Sequence, residues 1–145
     1  MTQIDFYLLP GDSPGSRQHF ACRLIETIWK KGHRVYVHLP NQASAQAFSE
    51  ILWQFKPEAF IPHGLLGQHP PSPVELGWQA EPGDHHEVLL NLDLETPAHF
   101  SRFERVAEII DQDEQVMQPK RAAWRFYKER GYLIRSHDMR HPAQS

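Results

Sequence analysis

Apolar and polar residues alternate at the start of the chain. Ile4, Phe6 and Leu8 are separated by Asp5 and Tyr7, the period of a strand. Pro10-Gly11-Asp12-Ser13-Pro14 is the turn after it, and Ser13 followed by Pro14 predicts a helix N-cap and the first helical residue. Phe20, Ala21, Leu24, Ile25 and Ile28 then recur at helical spacing, until Gly32 after Lys30-Lys31 stops the helix. Arg34 to Leu39 predicts a second strand. Asn41 caps a second helix, whose apolar set is Ala47, Phe48, Ile51, Leu52 and Phe55. A brief strand is expected over Ala59 to Ile61.

Prolines change the pattern next. Pro57, Pro62, Pro70, Pro71 and Pro73 rule out long regular elements, so Pro62 to Ser72 reads as an ordered surface loop. Val74 to Trp78 reads as a short strand, Glu81 to His86 as a polar turn, and Glu87 to Asp93 as a buried strand. Thr96-Pro97 starts a short helix with Phe100 and Phe103 as its apolar residues, and Val106 to Ile110 is a further buried strand. Asp111 and Asp113 introduce the last helix. Pro119 lies inside it and is expected to kink it or delay its start. Gly131 ends it near Arg130, and Tyr132 to Ile134 adds an edge strand. Strands alternating with helices predict a three-layer α/β/α fold with a mainly parallel sheet, Rossmann-like in outline. The expected organisation is a single domain over residues 1–136 and a polar tail over 137–145.

The last helix stands apart. At about 100° per residue, Arg121, Trp124, Arg125 and Lys128 share one face, while Ala122, Ala123, Phe126 and Tyr127 form the core-facing set. A tryptophan inside a stripe of cations suits a ligand that is both anionic and apolar. Charge sharpens this. Residues 1–119 hold eight Lys/Arg against sixteen Asp/Glu, a balance of −8; residues 120–145 hold seven against two, a balance of +5. Such a molecule repels a long polyanion and accepts a short anionic group at its C-terminal end.

Other chemistry finds little support. The first strand–helix turn has neither the G-x-G-x-x-G spacing nor the Lys-Ser/Thr of a phosphate loop, and Asp12 repels phosphate, so no nucleotide cofactor is expected. The ten histidines match no structural zinc pattern, so no metal is expected. They read as solvated or hydrogen-bonding residues, and His137 lies in the expected tail. Ser13, Ser16 and Cys22 lack a nucleophile elbow, and Cys22 sits among Phe20, Leu24 and Ile25 as a buried thiol. No catalytic residue is singled out. One cysteine excludes an internal disulfide, and no apolar run approaches the roughly 20 residues of a membrane span; a cytoplasmic location and no membrane partner are expected. Trp53, Phe55, Pro57, Phe60 and Pro62 crowd together, with Leu65, Leu66 and Trp78 expected nearby. Phe55 reads as core. Trp53 and Phe60 read equally as core or as an apolar patch that another protein covers.

Four stretches, in order and spacing, resemble the chi subunit family of bacterial DNA polymerase III holoenzyme. They are Asp5-Phe6-Tyr7-Leu8-Leu9, Leu52-Trp53 through Phe60-Ile61-Pro62-His63, Pro73-Val74-Glu75, and Arg121 through Gly131-Tyr132. The likeness runs from about residue 4 to residue 134. It implies a non-catalytic replication adaptor that pairs with the psi subunit of the clamp-loader complex. It also implies binding of the acidic C-terminal tail of single-stranded-DNA-binding protein, which ends in phenylalanine, so nucleic acid is met only indirectly. The family's tail pocket falls on Ile110, Arg121, Trp124, Arg125, Lys128 and Ile134, with Arg121 at the position that holds the terminal carboxylate. Trp124 replaces a tyrosine and Arg125 a lysine, both in keeping with their roles; Met117 replaces a basic residue at the rim, and Pro119 departs from the pattern. Trp53, Phe60 and Pro57 fall on the psi interface. Basic residues interleaved with Trp124, Tyr127 and Tyr132 leave direct single-stranded nucleic-acid binding as the alternative.

Overall fold

The computed structural model describes residues 1–56, 60–68, 70–79 and 81–140. In chain order it forms β1 (Gln3–Leu8), α1 (Ser16–Lys30), β2 (Val35–His38), α2 (Gln42–Gln54), β3 (His63–Leu65), β4 (Val74–Gly77) and β5 (Val88–Asn91). A single 3-10 turn at Phe100–Arg102 follows, then β6 (Arg105–Ile110), α3 (Glu114–Glu129) and β7 (Leu133–Asp138). The strands make one seven-stranded sheet in the order β3-β4-β2-β5-β6-β1-β7, and each neighbouring pair is parallel.

A parallel sheet needs cover on both faces. On one face, Phe20 and Ile25 of α1 and Phe48 and Leu52 of α2 pack against Val35, Val37, Leu76, Leu90 and Ile109. On the other, Ala123 and Tyr127 of α3, with Phe100, pack against Ile4, Phe6, Leu89 and Val106. This is the expected α/β architecture. Asn41 caps α2 as expected, its Oδ1 accepting from the Ser44 amide at 2.8 Å.

Several local expectations need correction. Ser13 does not cap α1. The Ser16 amide donates to the Ser13 carbonyl at 3.1 Å, and Gly15 has φ 85° and ψ −7°. Ser13-Pro14-Gly15-Ser16 is therefore a type II turn, with proline and glycine at the two positions where that turn wants them; the helix begins after it. Thr96-Pro97 yields no helix, only the 3-10 turn that begins at Phe100. Phe60 to Pro62 form no strand, and Ala59 lies outside the described residues. β3 instead occupies His63–Leu65, inside the segment read as a loop, because an edge strand tolerates a preceding proline. Ala47 and Ile51 of α2 are exposed; Ala45, Phe48 and Leu52 are the inward stripe. Leu66 packs with the core on the α3 face, away from Trp78.

The last two elements differ most. α3 begins at Glu114, so Pro119 does not delay its start; Asp113 caps it by accepting from the Gln115 amide at 3.0 Å. Its buried residues are Val116, Lys120, Ala123 and Tyr127, while Ala122 is exposed and Phe126 half-buried. β7 extends past Ile134 to Asp138, since β1 offers ladder partners from Gln3, opposite Leu133, to Leu8, opposite Asp138. The expected boundary after residue 136 thus cuts through a strand. His137 belongs to that strand: its Nε2 lies 2.9 Å from Asp5 Oδ1, and its ring stacks on Tyr7 at 4.5 Å. Residues 141–145 lie outside the described residues.

Candidate functional site

The orientation of α3 is set by a charge inside β6. Glu108 interrupts the apolar run Val106 to Ile110 and is fully buried. A buried carboxylate needs partners. Lys120 of α3 reaches in to place Nζ 2.6 Å from Glu108 Oε1, with neither side chain exposed. Lys120 Nζ also donates to the Asp93 carbonyl at 2.6 Å. Tyr127 donates its hydroxyl to Glu108 Oε2 at 2.7 Å, and Asn91 Nδ2 donates to the same oxygen at 3.2 Å. Burial, with Glu108 beside it, pushes the Tyr127 phenol far above its ordinary value, so it remains a donor. Lys120 and Tyr127 are seven residues apart, on one face of the helix. Pinning both to Glu108 fixes the helix rotation and turns Arg121 and Trp124 toward β7. Sequence reasoning placed Lys120 on neither face of the helix and counted it only in the charge balance, whereas it is buried. The signal was Glu108, a charge in an apolar strand.

Beside α3, a cavity of about 240 Å³ opens toward the C-terminal ends of β1 and β6 and the edge strand β7. Leu8, Ile110, Met117, Arg121 and Trp124 line it, with Gln112, Ser136 and Arg140. The chain leaves β1 through α1 on one face and β6 through α3 on the other, and these two strands are neighbours. That is a topological switch point, where open parallel sheets place their binding crevices. Arg121 is exposed and forms no hydrogen bond or ion pair among the described residues. Trp124 is half-buried against the core on the α3 face, and Lys128 Nζ lies 4.7 Å from its ring centroid, a cation–π contact. Asp111, also in the wall, is buried and accepts from the Asp113 amide at 3.0 Å. Met117 lies in the wall too, leaving an apolar rim.

Three of the sequence-derived residues, Ile110, Arg121 and Trp124, come together in this cavity. Lys128 contributes from behind Trp124. Arg125 is exposed on α3, outside the cavity wall. Ile134 pairs with Ile4 in the sheet and packs into the core; Ser136, the next residue on that face of β7, reaches the cavity instead. Ser136 and Arg140 went unnoticed in the sequence because β7 was expected to end at Ile134.

A second feature lies near the opposite edge of the sheet. Trp53 and Phe60 are 45% and 68% exposed, with ring centroids 5.0 Å apart, and Trp53 also packs on the His63 ring at 4.2 Å. Exposed Ile51 lies on the same helix. Phe55 packs against the core beneath α1, as expected. Pro57 lies outside the described residues.

The histidines are not all solvated. His38, His63, His85 and His99 are buried. His85 Nε2 lies 2.6 Å from Glu75 Oε1, while neither ring nitrogen of His99 has a partner among the described residues. Burial depresses the pKa of His38 and of His99 below the ordinary 6.5, and for His99 neighbouring His38 adds to the effect. Cys22 is buried, and burial pushes its thiol up to about 12, so it is unreactive. Among the described residues no group of three or more His, Cys, Asp or Glu could hold a metal, and no helix is long and apolar enough to cross a membrane.

Fold and site together define an open, parallel-sheet α/β domain whose switch-point pocket joins a guanidinium to an indole, with no nucleotide loop. The chain belongs to the family described as DNA polymerase III chi subunit, HolC, whose model matches residues 1–135. It is 41% identical over 137 residues to DNA polymerase III subunit chi of Pseudomonas aeruginosa, covering 94% of this chain and 96% of that one. The chi subunits of Haemophilus influenzae and Escherichia coli are 26% and 25% identical, over 89% and 92% of this chain and 92% and 96% of theirs. The family places the chain in DNA replication.

Proposed function

We propose that this chain is a non-catalytic cytoplasmic adaptor linking the psi subunit, and through it the clamp loader, to the acidic C-terminal tail of single-stranded-DNA-binding protein. The observation that carries the reading is the cavity beside α3, where Arg121 has no partner among the described residues and Trp124 forms an apolar wall. Arg121 donates charge-assisted hydrogen bonds to the terminal carboxylate of the tail. Trp124 and Ile110 flank the terminal phenylalanine ring, and Ile134 supports the sheet below it. Arg125 and Lys128 draw in the acids upstream and act mainly on the association rate. Micromolar affinity, about −8 kcal/mol, suits a tether that must exchange. Trp53 and Phe60 form the surface for psi.

Titration with a labelled acidic peptide ending in phenylalanine tests this. Binding should weaken with salt. Arg121→Ala, or amidation of the peptide's carboxylate, should cost on the order of 2–3 kcal/mol. Equal binding of the amidated peptide overturns the pocket model. An oligonucleotide bound tightly at physiological salt would favour direct nucleic-acid contact instead.

A further inference from the structure

The cavity has a second guanidinium. Arg140 lines it from the turn after β7, whereas Arg121 lines it from α3. The turn is anchored: the Met139 amide donates to the Leu8 carbonyl at 2.8 Å, and Asp138 pairs in register with Leu8. Arg140 is already engaged by the chain's own carboxylate. Its Nε donates to Asp138 Oδ1 at 2.9 Å and its Nη2 to Oδ2 at 2.8 Å, the two-pronged geometry with which arginine takes any carboxylate. Both side chains are 42% exposed, so the pair is held weakly and can open or share its cation. Nη1 has no partner among the described residues.

Resting on the tail-binding reading, we infer that Arg140 is a second anion-binding side chain of the pocket, and that Asp138 is an internal competitor for it, so that an acidic tail displaces a carboxylate of this chain as it binds. A peptide with acids ahead of its terminal carboxylate presents two anions to one cavity. Arg121 takes the terminus, and Arg140, on the other wall, takes an acid upstream. Asp138 weakens the complex twice, by holding the guanidinium and by repelling the incoming acid.

The test uses the full chain, the same labelled peptide and four proteins: wild type, Asp138→Asn, Arg140→Gln and Arg121→Ala. Asp138→Asn should bind roughly threefold to tenfold tighter, and Arg140→Gln weaker by a similar factor with a shallower salt dependence. The double variant Asp138→Asn/Arg140→Gln should bind no tighter than Arg140→Gln alone. Melting curves check the fold; Arg140→Lys, which keeps the charge and loses the fork, should fall between wild type and Arg140→Gln. If Asp138→Asn or Arg140→Gln binds as wild type while Arg121→Ala still abolishes binding, the inference is wrong and the tail pocket stands. If Arg121→Ala and amidation have no effect, the pocket reading itself falls.

Discussion

Two aromatic features of this molecule, one at Trp124 and one at Trp53, differ in what surrounds the ring. Trp124 is half-buried at the edge of a cavity whose walls carry two arginines, and a lysine covers its face. Trp53 stands on a helix surface beside Phe60 and a buried histidine, and among the described residues no cation lies over it. The first arrangement is concave and positive, suited to one chain end that carries both charge and a ring. The second is exposed and apolar, suited to the face of another folded protein. They lie on opposite faces of the sheet and toward opposite edges. One partner should therefore leave the other's site untouched.

The strongest way to break this comparison is to remove the buried charge that orients α3. Lys120→Met leaves Glu108 uncompensated and should destabilise the fold by roughly 3–5 kcal/mol. Replacing both, as Lys120→Met with Glu108→Leu, should recover much of that loss. Denaturant titration reads the stability. In the recovered variant α3 is no longer pinned by Glu108, so tail binding should stay impaired while the Trp53 surface is kept. Equal loss at both sites would show that they are not independent.

A crossed pair of truncations comes next. Trp53→Ala should weaken binding of the psi subunit by about 2 kcal/mol or more, as the loss of a central aromatic anchor does, and leave tail binding unchanged. Trp124→Ala should do the reverse. Calorimetry with each partner checks both. A Trp53→Ala protein that loses the tail peptide would merge the two sites into one.

How much of this was legible in the chain depends on the distance over which each feature is decided. Asn41 and Gly131 act within a turn of a helix, and both are found where local spacing put them. The cationic face of α3 was legible because helical period alone assembles it. The burial of Lys120 was not, since its reason is Glu108, twelve residues away in a strand. Nor was β7 beyond Ile134: Arg135, Ser136 and His137 have no strand-like pattern, and only the unpaired edge of β1 makes them one. Arg140 reached the pocket by that same extension. Of the four buried histidines, His63 and His85 are hydrogen-bonded, as expected. The burial of His99, with neither ring nitrogen partnered among the described residues, was not legible, because it comes from layers that cross the sheet.

Acid separates the two regions by a smaller amount. Burial depresses the pKa of His63, under Trp53, as it does that of His38 and His99. Each is therefore neutral in the fold and more readily protonated in the unfolded chain. Their contribution is intact above the ordinary value of 6.5 and is lost as pH falls below it, by at most about 1.4 kcal/mol per pH unit for each group. Denaturation midpoints at pH 7.5 and 5.5 should show this loss. None of these three histidines lines the cavity beside α3. Tail binding should hold steady while stability declines, and a matching drop in both would tie the pocket to the histidines.

The smallest effect lies at the rim. Arg125 is exposed and outside the cavity wall, so it makes no fixed contact that a ligand could lose. Its charge can still act through solvent, over a Debye length of about 8 Å at physiological salt. Arg125→Gln should therefore slow association of the acidic tail roughly twofold to threefold at low salt and leave dissociation unchanged. Raising the salt should erase the difference. Lys128→Gln should behave differently, because its ammonium also lies against the Trp124 ring. There dissociation should quicken as well, by a factor of about two, since the ring loses the contact that holds it in place. Stopped-flow traces at two salt concentrations distinguish these cases. If both variants changed only the association rate, the lysine would belong to the rim and the pocket would end at Trp124.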